Sequence, residues 1–220
     1  MSPQRAWILL PSGAQLDLLH PDPFSWTDRD LAIGLSRTYR WAGYSRHWDL
    51  PLSVAQHSLT VLHLAQSAPG SILSNAEARR EILHDSPEAL LGGWDPPTPL
   101  KPILGAGYME LDKRMQAAVD VRYRLPPWTE SSYARHKAAD RLAAASEGLH
   151  VAGWSRRELI EKLGITLEPL MHDPLSHPGY LPWEPWPPKV AAARFLAALE
   201  ALSSEHDQSA ETGEEAGHEW

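Results

Sequence analysis

The chain has 220 residues, enough for one domain of ordinary size, and 43% of them are hydrophobic, enough to fill a sizeable core. It contains no cysteine, which excludes thiolate catalysis, disulfides and Cys-ligated zinc or iron–sulfur sites, so any transition-metal site must be built from His and carboxylates. The formal charge of −8 is uneven, because Ser203 to Trp220 holds six acids and no Lys or Arg, leaving about −2 for the remainder.

A near-neutral body without a basic stripe interleaved with aromatics points away from a polymeric nucleic-acid partner. The opening MSPQRAWILLP offers only a short apolar run before Pro11, and no other stretch approaches a membrane span. A soluble, cytoplasmic protein with no membrane partner is the expectation.

In chain order, the apolar runs at 7–10 and 16–19 flank Pro11-Ser12-Gly13-Ala14 and predict a short hairpin. Thr27 with Asp30 makes a capping pattern ahead of LAIGLSRTYRW, although Gly34 weakens that helix. A loop, AGYSRHWDLPL, follows. Ser53 caps VAQHSLTVLHLAQSA, and Pro69-Gly70 ends it; Asn75 opens AEARREILHD. Helices are then predicted from Gly107 to Arg124, from Thr129 or Ser132 through SSYARHKAADRLAAASEGLHVAG, and over RRELIEKLG behind Ser155 and Glu158. Pro169 to Pro188, with Trp183 and Trp186, reads as an extended segment packed on the surface before the last helix, KVAAARFLAALEAL. Seven helical segments against one weak hairpin predict an all-α helical bundle over residues 1–202. Residues 203–220 are polar and acidic, and a disordered tail is expected there.

A bundle builds metal sites from side chains pointing inward from different helices, which selects His57, His84-Asp85 and Asp140. Taken singly, each is more often a hydrogen-bonded core histidine or half of an ion pair; as a set over three helices they suggest a ligand group. Ser86-Pro87 is a helix-start signal, so the chain bends or restarts just after Asp85 and lets adjacent side chains converge, with Glu88 on the next turn. His-Asp recurs at His172-Asp173, read as turn chemistry between prolines, and at His206-Asp207 in the tail, which is discounted.

The order His57, His84-Asp85, Asp140 resembles the HD-domain metal-dependent phosphohydrolases. YRWAGYSR, SVAQHS, HDSPE, TPLK and KAADRLAAASE are similar to the small bacterial deoxynucleotide 5'-nucleotidase branch and its phage relatives. The resemblance runs from about Ala6 to Leu199.

It implies that His57, His84, Asp85 and Asp140 hold one divalent metal, whether Zn, Mn, Co, Fe or Mg, since two imidazoles and two carboxylates do not fix its identity. It further implies that Glu88 handles protons, that Arg40 holds phosphate, and that Trp41 and Asp95 contact the deoxyribose. The run GGWDPPTP is longer than the resemblance predicts, by about two residues. Arg46, in the loop before His57, is a further candidate substrate contact. Lys101 reads as a solvated helix-start lysine, and His136 as a partly exposed residue that could support a second metal.

The expected activity is release of phosphate from a deoxynucleoside monophosphate. Alternatives are removal of tripolyphosphate from a dNTP, a cyclic-nucleotide phosphodiesterase, and a silent nucleotide-sensing domain. The resemblance also implies a homo-oligomer, dimer or larger.

Overall fold

The N-terminal apolar runs pair as β1 (Trp7–Leu9) and β2 (Gln15–Asp17), antiparallel, with Ile8 opposite Leu16, in this computed structural model, which describes residues 5–211 and side chains through residue 203. Leu16 points into the core while Trp7 and Leu9 stay exposed, as the alternation of a half-buried ribbon requires. Eight α-helices follow among the described residues, and the fold is all-α with a short hairpin, as the sequence predicts.

The first helix, α1 (Asp28–Arg37), starts with the predicted capping box: Thr27 Oγ1 accepts from the Asp30 backbone, and the Asp30 carboxylate accepts from the Thr27 N–H and hydroxyl. Asp30 also accepts from the Ser12 N–H at 2.8 Å, so one buried carboxylate fastens the hairpin turn to the helix. Gly34 has a packing reason: a Cβ there would come within 3.1 Å of the Ala89 Cβ on α4 (Ser86–Leu90).

Between α1 and α2 (Val54–Ser67) the chain makes a short extended pairing, with a Tyr39–Ser53 bridge flanked by Val54 N–H to Thr38 O and Arg40 N–H to Leu52 O. This pins Arg40 beside the first turns of α2. Helix α3 (Asn75–Ile82) is capped by Ser74 through a box with Glu77, one residue earlier than the sequence reading placed the start. Helices α5 (Ala106–Tyr123), α6 (Glu130–Glu147) and α7 (Arg156–Leu163) match the predicted segments, with the expected caps at Thr129 and Ser155. Helix α6 runs into a π-helical segment, Gly148–Ala152. Val61 and Ala65 of α2 meet Ala139 and Ala143 of α6, so small side chains bring these two helices close together.

Two expectations need correction. The Pro-rich segment is not a surface strap, because Trp186 is 2% and Trp183 7% exposed. Trp186 belongs to the main core beneath the Arg194 guanidinium, 4.0 Å from its ring, and Trp183 packs with Leu52 and Val151. The segment runs through turns, with Trp183 in a left-handed conformation (φ 65), and the Asp173 carboxylate holds it by accepting from the Leu175 and Trp183 N–H groups. The last helix, α8 (Pro188–Glu211), also passes the boundary set at residue 202, since Glu205, Gln208 and Ala210 are good helix formers; residues 212–220 lie outside the described residues.

Burial opposes ionisation of Asp30, but the hydrogen bonds from Thr27 and Ser12 outweigh it and hold the carboxyl below its usual 3.8. Its contribution is therefore present above pH 3.8 and lost as pH falls through the lower folded value. Asp30→Asn should lower unfolding free energy by about 1–2 kcal/mol at pH 7 in urea titrations, with the difference from wild type shrinking below about pH 4.

Candidate metal centre

Four segments converge on one buried point. Helix α2 brings His57, fully buried one turn from its cap; the break between α3 and α4 brings His84 and Asp85; α6 brings Asp140. The extended residue Arg40 completes the ring. At the break, Leu83 and Asp85 take φ/ψ near −100°/+10° rather than helical values (φ −99, ψ 5 and φ −103, ψ 16), and Asp85 caps the short α4, with Pro87 in its first turn. Side by side in sequence, His84 and Asp85 thereby face the same centre.

His57, His84 and Asp140 each offer a ligand atom within 4.8 Å of the others, the arrangement that can hold a metal ion. Asp85 Oδ2 adjoins them, 3.1 Å from His84 Nε2 and 3.5 Å from His57 Nε2; Asp140 Oδ1 lies 3.5 Å from His57 Nε2. Yet both Nε2 atoms are buried without a hydrogen-bond partner. Close, badly aimed neighbours and orphaned lone pairs are what side chains show when they point at a common centre rather than at one another.

The opposite ring atoms are fixed. His57 Nδ1 lies 2.7 Å from Glu147 Oε1, and His84 Nδ1 lies 2.7 Å from the Glu81 carbonyl. An acceptor on Nδ1 keeps the proton there and frees Nε2, the outer-shell support that metal-ligating histidines need. The residues therefore fit a divalent cation.

Electrostatics agree. Burial and the Arg40 charge oppose protonation of His57, but Glu147 and Asp140 override them and raise it to about 10. With no cation between them, the carboxylates draw a proton onto the imidazole. Burial works against charge on Asp85, but His84, His57 and Arg40 hold it well below the carboxylate range; His57 and His84 do the same for Asp140. Arg40 sits among Asp95 (3.1 Å), Glu147 (3.6 Å) and Asp85 (3.8 Å) and stays charged.

Glu88 behaves in the opposite way. It is 3% exposed, and burial together with Asp85 and Asp95 pushes its carboxyl well above the usual range. Its Oε2 has no partner, while Oε1 faces Lys101 Nζ at 3.3 Å. Lys101 is thus not a solvated helix-start lysine: the Pro97–Leu100 turn folds it back onto the site.

No protein-family model matches the chain. An uncharacterized protein of Rhodobacter capsulatus is 39% identical to it over 179 residues, covering 76% of this chain and 89% of that protein. The chain belongs to that protein's family.

Of the remaining sequence candidates, Asp95 does join the site through its bond to Arg40. Trp41 takes a left-handed conformation (φ 57) and lays its ring against Gly148, where a Cβ would come within 3.1 Å of it. Arg46 is not brought in: it is exposed, packs over Gly153 and lies near Glu158. His136 is not partly exposed; it is 4% exposed and bonded through Nδ1 to Glu81 Oε2 at 2.8 Å. Asp140 pairs with Lys137 rather than with Arg141.

Sequence reasoning missed Glu147 and Glu81. Glu147 follows Asp140 by seven residues, two turns on one helix face, which was a readable signal; Glu81 carried none. If Glu147 orients His57, Glu147→Gln should weaken Co²⁺ or Zn²⁺ binding by about 10–100-fold in calorimetric titration while leaving one ion per chain. Asp140→Ala should remove stoichiometric binding.

Proposed function

We propose that the chain is a metal-dependent phosphohydrolase of the HD-domain type, cleaving the 5' phosphate ester of a deoxynucleotide to leave a deoxynucleoside and phosphate. The supporting observation is the coincidence of three things in one buried space: the His57, His84, Asp140 and Asp85 cluster, a buried Glu88 whose carboxyl is raised above its usual range, and the Arg40 guanidinium. A structural ion site has no use for the second and third. A divalent ion held by His57, His84, Asp85 and Asp140 would supply Lewis acidity for water and a phosphoryl oxygen.

The chain's own groups do the rest. In this reading a water oxygen bonds to phosphorus, the phosphorus–O5' bond breaks, and the proton lost by the water is returned to the departing 5' oxygen. Glu88 carries that proton, because burial beside Asp85 and Asp95 raises its carboxyl well above the usual carboxylate range, while Asp85 is held well below it. Lys101 steadies the charged form of Glu88 from one side. Arg40 offers a rigid fork of donors to a phosphoryl group, held at the right height by the Leu52 carbonyl and by Asp95 and Glu147. Asp95, bonded to Arg40 at 3.1 Å, accepts a hydrogen bond from a sugar hydroxyl in this reading.

The test is product analysis. Protein charged separately with Mn²⁺, Co²⁺, Zn²⁺ and Mg²⁺ is given deoxynucleoside and ribonucleoside monophosphates, dNTPs and cyclic nucleotides, and nucleoside, phosphate and tripolyphosphate are resolved by chromatography. Deoxynucleoside plus phosphate is the expected result; stoichiometric metal binding without turnover overturns it. Glu88→Gln should lower kcat by about 10²–10⁴-fold with metal affinity retained. An unchanged kcat removes Glu88 from the proton path.

A further inference from the structure

Trp94 stands between Glu88 and Asp95 on the run GGWDPPTP, the stretch whose length departs from the resemblance. Its side chain is 49% exposed, although the loop that carries it is firmly held. The Glu88 carbonyl accepts from the N–H groups of both Gly93 and Trp94, at 3.1 and 3.2 Å, and the next residue, Asp95, bonds to Arg40. Gly92 and Gly93 take φ values of 109° and 77°, which other residues rarely adopt, and this double turn brings the chain back to Glu88. A large indole is thereby fixed at the edge of the site with much of its surface in water.

Single exposed apolar side chains are ordinary on a protein surface. Trp94 differs in its neighbours. Its ring meets that of Tyr108 edge to face, with centroids 6.1 Å apart and planes at 66°. Tyr108 is half-buried in the first turn of α5, and burial with Asp112, Glu88 and Asp95, against Lys101, raises its phenol above the usual 10.0. The pair therefore sits within reach of the charged groups around Glu88, with a neutral hydroxyl among them. An edge-to-face contact leaves at least one indole face open, and among the described residues no cation and no second ring stacks on it. Other tryptophans near the cluster are already engaged: the Trp41 ring lies against Gly148, and Trp128 stacks on His136 at 4.7 Å with the Arg80 guanidinium 4.8 Å from its centroid. A nucleotide with its phosphoryl group at Arg40 and its sugar hydroxyl at Asp95 carries its base past Asp95. The exposed residue adjoining Asp95 there is Trp94, since Pro96 is buried.

We propose that the open face of Trp94, braced by Tyr108, is the stacking surface for the nucleobase, so that the site selects phosphomonoesters carrying a flat base over bare sugar phosphates. The proposal rests on the phosphoester reading of the cluster. Every base has a π face, so such a surface accepts each of them and favours purines modestly, through stacking strength rather than hydrogen bonds.

Wild type, Trp94→Ala and Trp94→Phe are compared on dAMP and on 1,2-dideoxyribose 5-phosphate, which keeps the phosphate and the 3' hydroxyl and lacks the base, with Mn²⁺ in excess. Both kcat/KM and, by calorimetry, binding are measured for each compound. Wild type should prefer dAMP by about tenfold or more, Trp94→Ala should reduce that preference to under about threefold by raising KM for dAMP, and Trp94→Phe should keep most of it. A merely structural role for Trp94 would weaken both compounds together and leave the ratio in place. Should Trp94→Ala fail to fold, Trp94→Leu, apolar but without a π face, carries the test. No base preference in wild type, or an undiminished one in Trp94→Ala, overturns the stacking surface even with dAMP hydrolysed. A tenfold tighter binding of dAMP that is lost in Trp94→Ala, with neither compound hydrolysed, supports the surface and sinks the phosphoester reading.

Discussion

The bond between His57 and Glu147 is the interaction on which the site depends. A fully buried imidazole and a 2% exposed carboxylate meet at 2.7 Å, with Asp85, Asp140 and Arg40 close by. Carboxylates removed from water carry a large desolvation cost unless positive charge sits among them. Arg40 supplies one fixed charge, and His57 supplies a second by holding a proton to about pH 10. A divalent ion between the two Nε2 atoms would supply that charge without the proton. The bundle is thus shaped around an electrostatic requirement that its apolar core alone does not meet.

Much of the fold was legible because its signals are local. The caps at Thr27, Ser53, Thr129 and Ser155 lie where short polar side chains precede apolar runs, and the helix restart after Asp85 follows from serine and proline. The convergence of His57, His84 and Asp140 could be inferred from their order along the chain, and the three do meet. What escaped is what only packing in three dimensions decides. Trp183 and Trp186 look like surface residues among prolines, yet the turns of the segment bury both rings. His136 near a helix start looks partly exposed until Trp128 and Glu81 close over it. Lys101 and Arg46 are both basic loop residues; only the turn after Pro97 decides that the first reaches the site and the second does not.

Backbone irregularities collect around this centre. Trp41 and Ala42 take left-handed conformations in a 3₁₀ turn, Leu83 and Asp85 break a helix, and α6 gives way to a π-helical segment one residue after Glu147. Such conformations cost energy and persist where surrounding packing fixes them. Gly148 shows the connection: its missing Cβ leaves room for both Leu159 and the Trp41 ring, so the π segment and the left-handed turn depend on one small residue. Regular helices carry His57 and Asp140, while the irregular joints place His84, Asp85 and Arg40.

The contrast between Asp85 and Glu88 carries the division of labour furthest. The two carboxylates are three residues apart across the start of α4, and burial alone would raise both. Asp85 has His84, His57 and Arg40 around it, so its charge is more than compensated and its proton is driven off. Around Glu88, burial and the charges of Asp85 and Asp95 outweigh Arg40 and the contacting Lys101, so its carboxyl is raised. Two acids with pKa values pushed apart by their neighbours can serve different roles, one as a permanently charged ligand and the other as a proton carrier. Arg40 and Lys101 both draw Glu88 downward, while burial and the two carboxylates keep it above Asp85.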